Sequence, residues 1–208
     1  MKLRGLYAIT PELADSTTLL RSVAQALDGG IAMLQYRRKG KQNIDEAKTL
    51  ARMCRDHAVP FVVNDNIALA LECGADGVHL GRDDGGLAAA RVRLDGRLGG
   101  ILLGASCYDS LPAARAAVAA GADYVAFGSV FASPTKPAAV RAPLTLFGEA
   151  RALGVPLVAI GGITLQNAPQ LLAAGADCVA VVSDLFEAPD IAEKARAYGK
   201  LFAYDITQ

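Results

Sequence analysis

The chain has 208 residues, 52% of them hydrophobic, with 21 basic and 21 acidic side chains and no formal net charge. That length suits one sizeable α/β domain, and the apolar content is ample for its core. A balanced charge excludes the broad basic face that nucleic acid or an anionic membrane would require.

In chain order, the first strand reads LRGLYAI, residues 3–9. The opening MKLRGLYAIT is too short and too interrupted for a signal segment. STTLLRSVAQALDGG follows as a helix, with Ser16 and Thr17 as caps and glycines at its end. The second strand is IAMLQY (31–36), and a helix begins at Asn43 with apolar residues at helical spacing. PFVV (60–63), GVHL (77–80) and ILLGA (101–105) are the next strands. Ser110 caps a helix that holds Pro112 in its first turn. YVAF (124–127) precedes FGSVFASPTKPAAVRAP (127–143), where Pro134, Pro137 and Pro143 rule out a regular helix. PLVAI (156–160), a helix with Pro169 near its start, and CVAVV (178–182) complete the series.

The strands are continuously apolar rather than alternating, as expected where both faces are buried in a parallel sheet. GADGV at 74, GADYV at 121 and GADCV at 175 mark equivalent helix-to-strand junctions, each glycine suited to a left-handed helix C-cap. Eight strand–helix units with no linker imply a single-domain (β/α)8 TIM barrel spanning 1–208. A doubly wound open sheet fits less well, because no GxGxxG follows the first strand. Cys54, Cys73, Cys107 and Cys178 are widely spaced with no CxxC pair, as in a reducing compartment. No apolar run approaches a membrane span, so a cytoplasmic protein is expected, with a homo-oligomer left open.

In such a barrel, function gathers at the carboxyl ends of the strands. Those positions carry Gln35, Arg37 and Lys39; Asn64 and Asp65; His79, Arg82, Asp83 and Asp84; and Ser106. They also carry the proline-rich loop, GGIT (161–164) and SDLF (183–186). One cation past a strand is ordinarily a solvated loop residue. Arg37, Lys39 and Lys136 on loops that share a mouth point instead to an anion site, with Arg82 a fourth candidate. Asp65 or Asp84 alone would read as a helix cap. Together, beside cations, they have the make-up of a Mg²⁺ site completed by phosphate oxygens, which implies a diphosphate ligand. Gly161 and Gly162 allow close backbone approach at the strand-7 and strand-8 end, where barrels bind phosphate. His57 suits a helix C-terminus, and His79, inside an apolar run, suits a hydrogen-bonded core position. No acid–base pair or nucleophile set lines the mouth, which favours charge neutralisation over a strong base.

The run LYAIT, QYRRK, VND, ADGVHLGRDD, LGASCY, DYVAFGSVFASPTKP, AIGGIT and GADCVAVVS closely resembles the thiamine-phosphate synthase family over nearly the whole barrel. The resemblance implies condensation of a hydroxymethylpyrimidine diphosphate with a thiazole phosphate, using Mg²⁺ and no nucleic-acid or membrane partner. It makes Gln35, Arg37, Lys39, Asn64, Ser106 and Lys136 contacts to the pyrimidine diphosphate, with Lys136, Arg37 and Ser106 catalytic. Asp65 and Asp84 become the metal ligands. Ser133, Thr135, Gly162, Val182 and Ser183 become the thiazole phosphate site. Arg82 stands where the family commonly has glutamine, and Ser133 where it commonly has threonine. A thiazole tautomerase-like relative is the nearest rival; a phosphate-ligand sensor and a phosphosugar isomerase or epimerase fit less well.

Overall fold

The computed structural model describes residues 3–13, 15–40, 42–81, 86–95, 100–132 and 141–203. The strands are β1 (Gly5–Ile9), β2 (Met33–Tyr36), β3 (Phe61–Asn64), β4 (Gly77–Leu80), β5 (Leu102–Tyr108), β6 (Tyr124–Phe127), β7 (Leu157–Ile160) and β8 (Cys178–Val181). Every neighbouring pair is parallel, and β8 returns to β1 through the register Gly5 to Cys178, closing the barrel. The helices between them are α1 (Ser16–Asp28), α2 (Ile44–Asp56), α3 (Ile67–Cys73), α4 (Leu87–Leu94), α5 (Leu111–Ala119), α6 (Thr145–Ala150) and α7 (Ala168–Ala174). A short α8 (Ser183–Phe186) and a longer α9 (Ile191–Ala203) follow β8. Among the described residues, no helix is long and apolar enough to cross a membrane.

The strands read as continuously apolar because they serve two cores. Leu6, Ala8, Leu34, Phe61 and Val63 pack outward against the helices. Tyr7, Ile9, Met33, Val62, Tyr124 and Val158 fill the barrel interior. Successive side chains on a strand take opposite faces, so Leu6 and Tyr7 belong to different cores although both are buried.

Two local expectations change. Asp15, rather than Ser16 or Thr17, is the N-cap of α1, its carboxylate accepting from the N–H groups of Thr17 and Thr18. β5 runs on to Tyr108, with a register irregularity between Ser106 and Tyr108, so Ser106 lies within the strand rather than after it. The Asn43 and Ser110 caps form as expected.

The GAD repeats have a mechanical role. Gly74, Gly121 and Gly175 adopt φ of 75°, 93° and 106°, the left-handed region that glycine occupies without a Cβ clash. Two residues on, each aspartate carboxylate accepts from the first or second residue of the preceding strand. Asp76 takes the N–H of Phe61 at 2.9 Å, Asp123 that of Leu103 at 2.7 Å, and Asp177 that of Leu157 at 2.9 Å. Each aspartate N–H also donates to the carbonyl of that same residue at 2.8 Å. Arg91 and Arg151 grip the Asp123 and Asp177 carboxylates. These clasps pin neighbouring strands at the amino end of the barrel, away from the rim that carries function. Asp177→Ala should therefore lower unfolding stability by about 1–3 kcal/mol, the cost of a part-buried N–H without its partner. Denaturant titration checks this, with substrate KM values expected to stay at the parent level.

Candidate active site

Arg37 follows β2 directly, and its backbone is held to β1: its N–H donates to Thr10 Oγ1 at 2.9 Å, and the Thr10 hydroxyl donates to its carbonyl at 3.0 Å. The Lys39 N–H donates to the Glu12 carboxylate at 2.9 and 3.1 Å. Between them Arg38 donates through Nε and Nη2 to Glu46 on α2 at 3.1 and 2.9 Å, while also bordering the cavity its neighbours line. The Tyr36 hydroxyl donates to the same carboxylate at 2.7 Å, and Ser16 on α1 donates as well. Burial pushes the Glu46 carboxyl up, but the hydrogen bonds from these three residues and the charge of Arg38 outweigh it and hold it below its ordinary value.

The clasp fixes a loop whose two neighbouring cations are presented elsewhere. Arg37 and Lys39 line a cavity of about 570 Å³ with Asn64 and Asp65, the residues that end β3 and begin its loop. The Gln42 amide donates to the Asn64 carbonyl at 3.1 Å and accepts from Asn66 at 2.9 Å, tying the two loops together. Asp65 has φ 63°, unusual for a residue with a side chain, and its N–H donates to the His79 carbonyl at 2.8 Å. Its carboxylate accepts from the Asn64 amide and is exposed at the rim.

Gln35 and Ser106 stand apart from that cavity. Gln35 is buried at 3% exposure, and its amide nitrogen donates to the Tyr7 hydroxyl at 2.8 Å. Tyr7 meets the Tyr124 hydroxyl at 2.9 Å, Tyr124 meets His79 Nδ1 at 3.1 Å, and His79 Nε2 meets Ser106 Oγ at 2.9 Å. A continuous polar line thus crosses the barrel interior from β2 to β5. His79 is the hydrogen-bonded core residue its surroundings implied. A Cβ on Gly104 would lie 2.3 Å from the Tyr124 oxygen and 2.6 Å from His79 Nδ1, so the line passes where only glycine leaves room.

On the opposite arc, Gly162 (φ 63°) follows β7, while Val182 and Ser183 lead into α8. A Cβ on Gly162 would meet the Ala132 carbonyl at 2.4 Å, and one on Gly161 the Ser129 hydroxyl at 2.2 Å. The neighbour that demands these glycines is the start of the β6 loop, whose Phe131 N–H donates to the Gly161 carbonyl at 3.0 Å. Asp184 links this arc to its supports, accepting from Leu165 N–H at 3.1 Å and the Tyr198 hydroxyl at 2.7 Å.

Arg82, Asp83, Asp84, Ser133, Thr135 and Lys136 lie outside the described residues. Of the rest, Arg37, Lys39, Asn64 and Asp65 share one cavity, and Gln35 and Ser106 share one buried line. Gly162, Val182 and Ser183 share the β7–β8 end of the same rim. Residues missing from the sequence reading are Tyr7, Thr10, Tyr124, Arg38 and Glu46. The tyrosines carried a usable signal, a hydroxyl on the inward face of an otherwise apolar strand.

A family model described as thiamine monophosphate synthase matches residues 6–185. The chain belongs to that family. Thiamine-phosphate synthase of Aromatoleum aromaticum is 57% identical over 205 residues, covering 97% of each chain. That of Azoarcus sp. strain BH72 is 55% identical over 206 residues, covering 97% of this chain and 98% of the relative. The solved thiamine phosphate pyrophosphorylase from Pyrococcus furiosus matches with a TM-score of 0.84 at 33% identity, covering 99% of this chain and 98% of that one. The thiamine monophosphate synthase assignment therefore rests on a likeness that spans the barrel.

The Glu46 clasp sets a pH dependence. A carboxyl held below its ordinary 4.5 contributes stability that is fully present above that value and lost as pH falls through the lowered native value. Glu46→Gln should flatten the acid side of the stability–pH curve, and at neutral pH it should destabilise by about 1–3 kcal/mol. Urea unfolding followed from pH 7 to pH 3 measures both.

Proposed function

We propose that this chain condenses 4-amino-2-methyl-5-(diphosphooxymethyl)pyrimidine with 4-methyl-5-(2-phosphooxyethyl)thiazole, releasing thiamine phosphate and diphosphate. The observation that carries the proposal is the full-length likeness to thiamine-phosphate synthases, joined to a rim where Arg37, Arg38, Lys39 and Arg93 line one cavity with the Asp65 carboxylate. The whole of 1–208 acts as one barrel domain in this reading, and the buried free thiols suit work in the cytoplasm.

Arg37 and Lys39 hold the diphosphate, with Asn64 beside them. Gln35 and Ser106 orient the pyrimidine ring from the barrel interior. Ser133, Thr135, Gly162, Val182 and Ser183 take the thiazole phosphate at the β7–β8 end, and Lys136 comes to the leaving diphosphate from the β6 loop. The residues also suit a magnesium ion. Asp65 offers an exposed carboxylate at the rim of the cavity, in a strained backbone conformation of the kind that clusters at functional sites. Mg²⁺ characteristically takes only one or two protein carboxylates, keeping water and phosphate oxygens as its other ligands. Asp65 and Asp84 would hold it, and when bound it supplies Lewis-acid neutralisation of the departing charge.

The bond changes ask little of an acid or base. The methylene C–O bond breaks, and its electron pair leaves with the diphosphate. The aminopyrimidine spreads the positive charge left on the methylene carbon. The thiazole nitrogen then supplies a lone pair to form the new C–N bond, with no proton to surrender. Arg37, Lys39 and Lys136 act by stabilising the leaving charge, and the β6 loop by excluding water that would capture the cation.

Purified protein given both substrates and Mg²⁺ should form thiamine phosphate, and chelation should abolish turnover. Protein that makes none, yet interconverts thiazole phosphate tautomers, would overturn the reading in favour of a tautomerase. Lys136→Ala should cut kcat by about 10²–10³-fold, as loss of a charge-stabilising donor does elsewhere. Arg37→Ala should raise the KM of the pyrimidine diphosphate by roughly ten- to a hundredfold, as for a charge-assisted hydrogen bond.

A further inference from the structure

We infer that Asp184 is a positioning residue for the phosphate of the second substrate, so that removing its acceptor oxygen weakens anion binding although a negative charge goes with it. This role rests on the reading of the β7–β8 end as the thiazole phosphate site, and adds what holds that end in shape.

Gly162, Val182 and Ser183 reach the rim on two separate loops. The chain leaves β7 through Gly161 and Gly162, and leaves β8 through Val182 and Ser183. Beneath them the strands pair as far as Ile160 and Ala180, so the loops above need a tie of their own. Asp184 supplies it. Directly after Ser183, its Oδ2 accepts from the Leu165 N–H of the β7 loop at 3.1 Å. The same oxygen accepts from the Tyr198 hydroxyl at 2.7 Å, which roots both loops in α9. Lys194, one turn earlier on α9, stands 3.4 Å from that oxygen.

The β7 loop is stiff enough to transmit the hold. The Asn167 amide nitrogen donates to the Gly162 carbonyl at 3.0 Å, and its carbonyl oxygen accepts from the Thr164 N–H at 2.9 Å. One side chain thus fixes Gly162 and Thr164, and Asp184 fixes Leu165, the next residue along. On its other side Gly162 is hemmed in by the Ala132 carbonyl, which a Cβ would approach to 2.4 Å. A loop held at each of these points stays in place relative to Ser183 only while Asp184 joins them.

A carboxylate beside Ser183 should by charge alone repel a phosphate. Its surroundings answer that cost. Lys194 offsets the charge, and the two side chains are only 23% and 18% exposed, so the pair is more than a screened surface contact. Tyr198 is fully buried, and burial first, then Asp184, push its phenol up, so the hydrogen stays with tyrosine to be donated. The Leu165 N–H and the Tyr198 hydroxyl each need an acceptor where water has little access. The oxygen, not the charge, is what the two loops require.

Two variants separate oxygen from charge. Asp184→Ala and Asp184→Asn both remove the charge, but only asparagine keeps an oxygen within reach of Leu165 and Tyr198. In the condensation assay, Asp184→Ala should raise the thiazole phosphate KM about tenfold, as for lost hydrogen bonds, and leave kcat and the pyrimidine diphosphate KM within about twofold. Asp184→Asn should restore the thiazole phosphate KM to within about threefold of the parent, because its oxygen still accepts. A lower thiazole phosphate KM in both variants would reveal a carboxylate that merely repels the anion, and would overturn the inference. Equal rises in both variants, or a rise shared by both substrates, would do the same. Tyr198→Phe, which keeps the charge and nearly the shape, serves where Asp184→Ala does not fold. It should raise the thiazole phosphate KM alone, by about threefold for one hydrogen bond of the pair; an unmoved value would overturn the tie to α9. If the parent makes no thiamine phosphate, the proposed reaction fails, and calorimetric titration with the thiazole phosphate alone decides the role of Asp184. The parent and Asp184→Asn should then bind more tightly than Tyr198→Phe, and Tyr198→Phe more tightly than Asp184→Ala. A parent that does not bind this compound would overturn both the site and the role.

Discussion

Closure of the parallel sheet is the constraint from which the rest follows. With β8 paired to β1, every strand has a neighbour on both sides, and all the carboxyl ends emerge on one rim. Residues from β2 to β8 then converge without being near in sequence. Closure also creates an interior that must be filled, since an eight-stranded barrel is packed with side chains rather than hollow. Here that filling is partly polar. Tyr7 and Tyr124 bring large rings to the inner core, and their hydroxyls must find partners because no water can reach them. They find each other, Gln35 and His79.

The two ends of the barrel divide the labour between stability and function. At the amino end, aspartates of the GAD repeats tie the starts of β3, β5 and β7 to the next strand. At the carboxyl end the backbone is less regular. Asp65 takes a positive φ, and β5 loses register after Ser106. Gly161 and Gly162 bend to admit the β6 loop. Such departures are affordable there because the opposite end is clamped.

Within the rim, neighbouring cations of one loop have different tasks. Arg38 is spent on Glu46, buried beneath the loop, and so its charge serves position rather than ligand binding. Arg37 and Lys39 border the same cavity as Arg38, but without a carboxylate clasp of this kind among the described contacts. A charge bound to a buried carboxylate is costly to disturb, which makes the clasp a firm base for two side chains that must remain available. Asp184 plays a comparable part across the barrel, where Tyr198 and the Leu165 N–H hold it beneath the β7–β8 arc.

The sequence by itself determined the (β/α)8 architecture, the order of the strands to within a few residues, and the family. Local pattern carries those, because doubly buried strands, caps such as Asn43 and Ser110, and the GAD glycines each leave a signature within a few positions. It also marked Arg37, Lys39, Asn64 and Asp65 as rim residues, since strand ends are countable along the chain. Only the tertiary structure decided that Arg38 differs from its neighbours, that Asp15 rather than Ser16 caps α1, and that Gly161 and Gly162 make room for the β6 loop. It alone joined Tyr7 to Tyr124, 117 positions away. The physical reason is that a buried polar group is satisfied by whatever the fold places opposite it, and that partner is chosen by strand register across the barrel, not by adjacency along the chain.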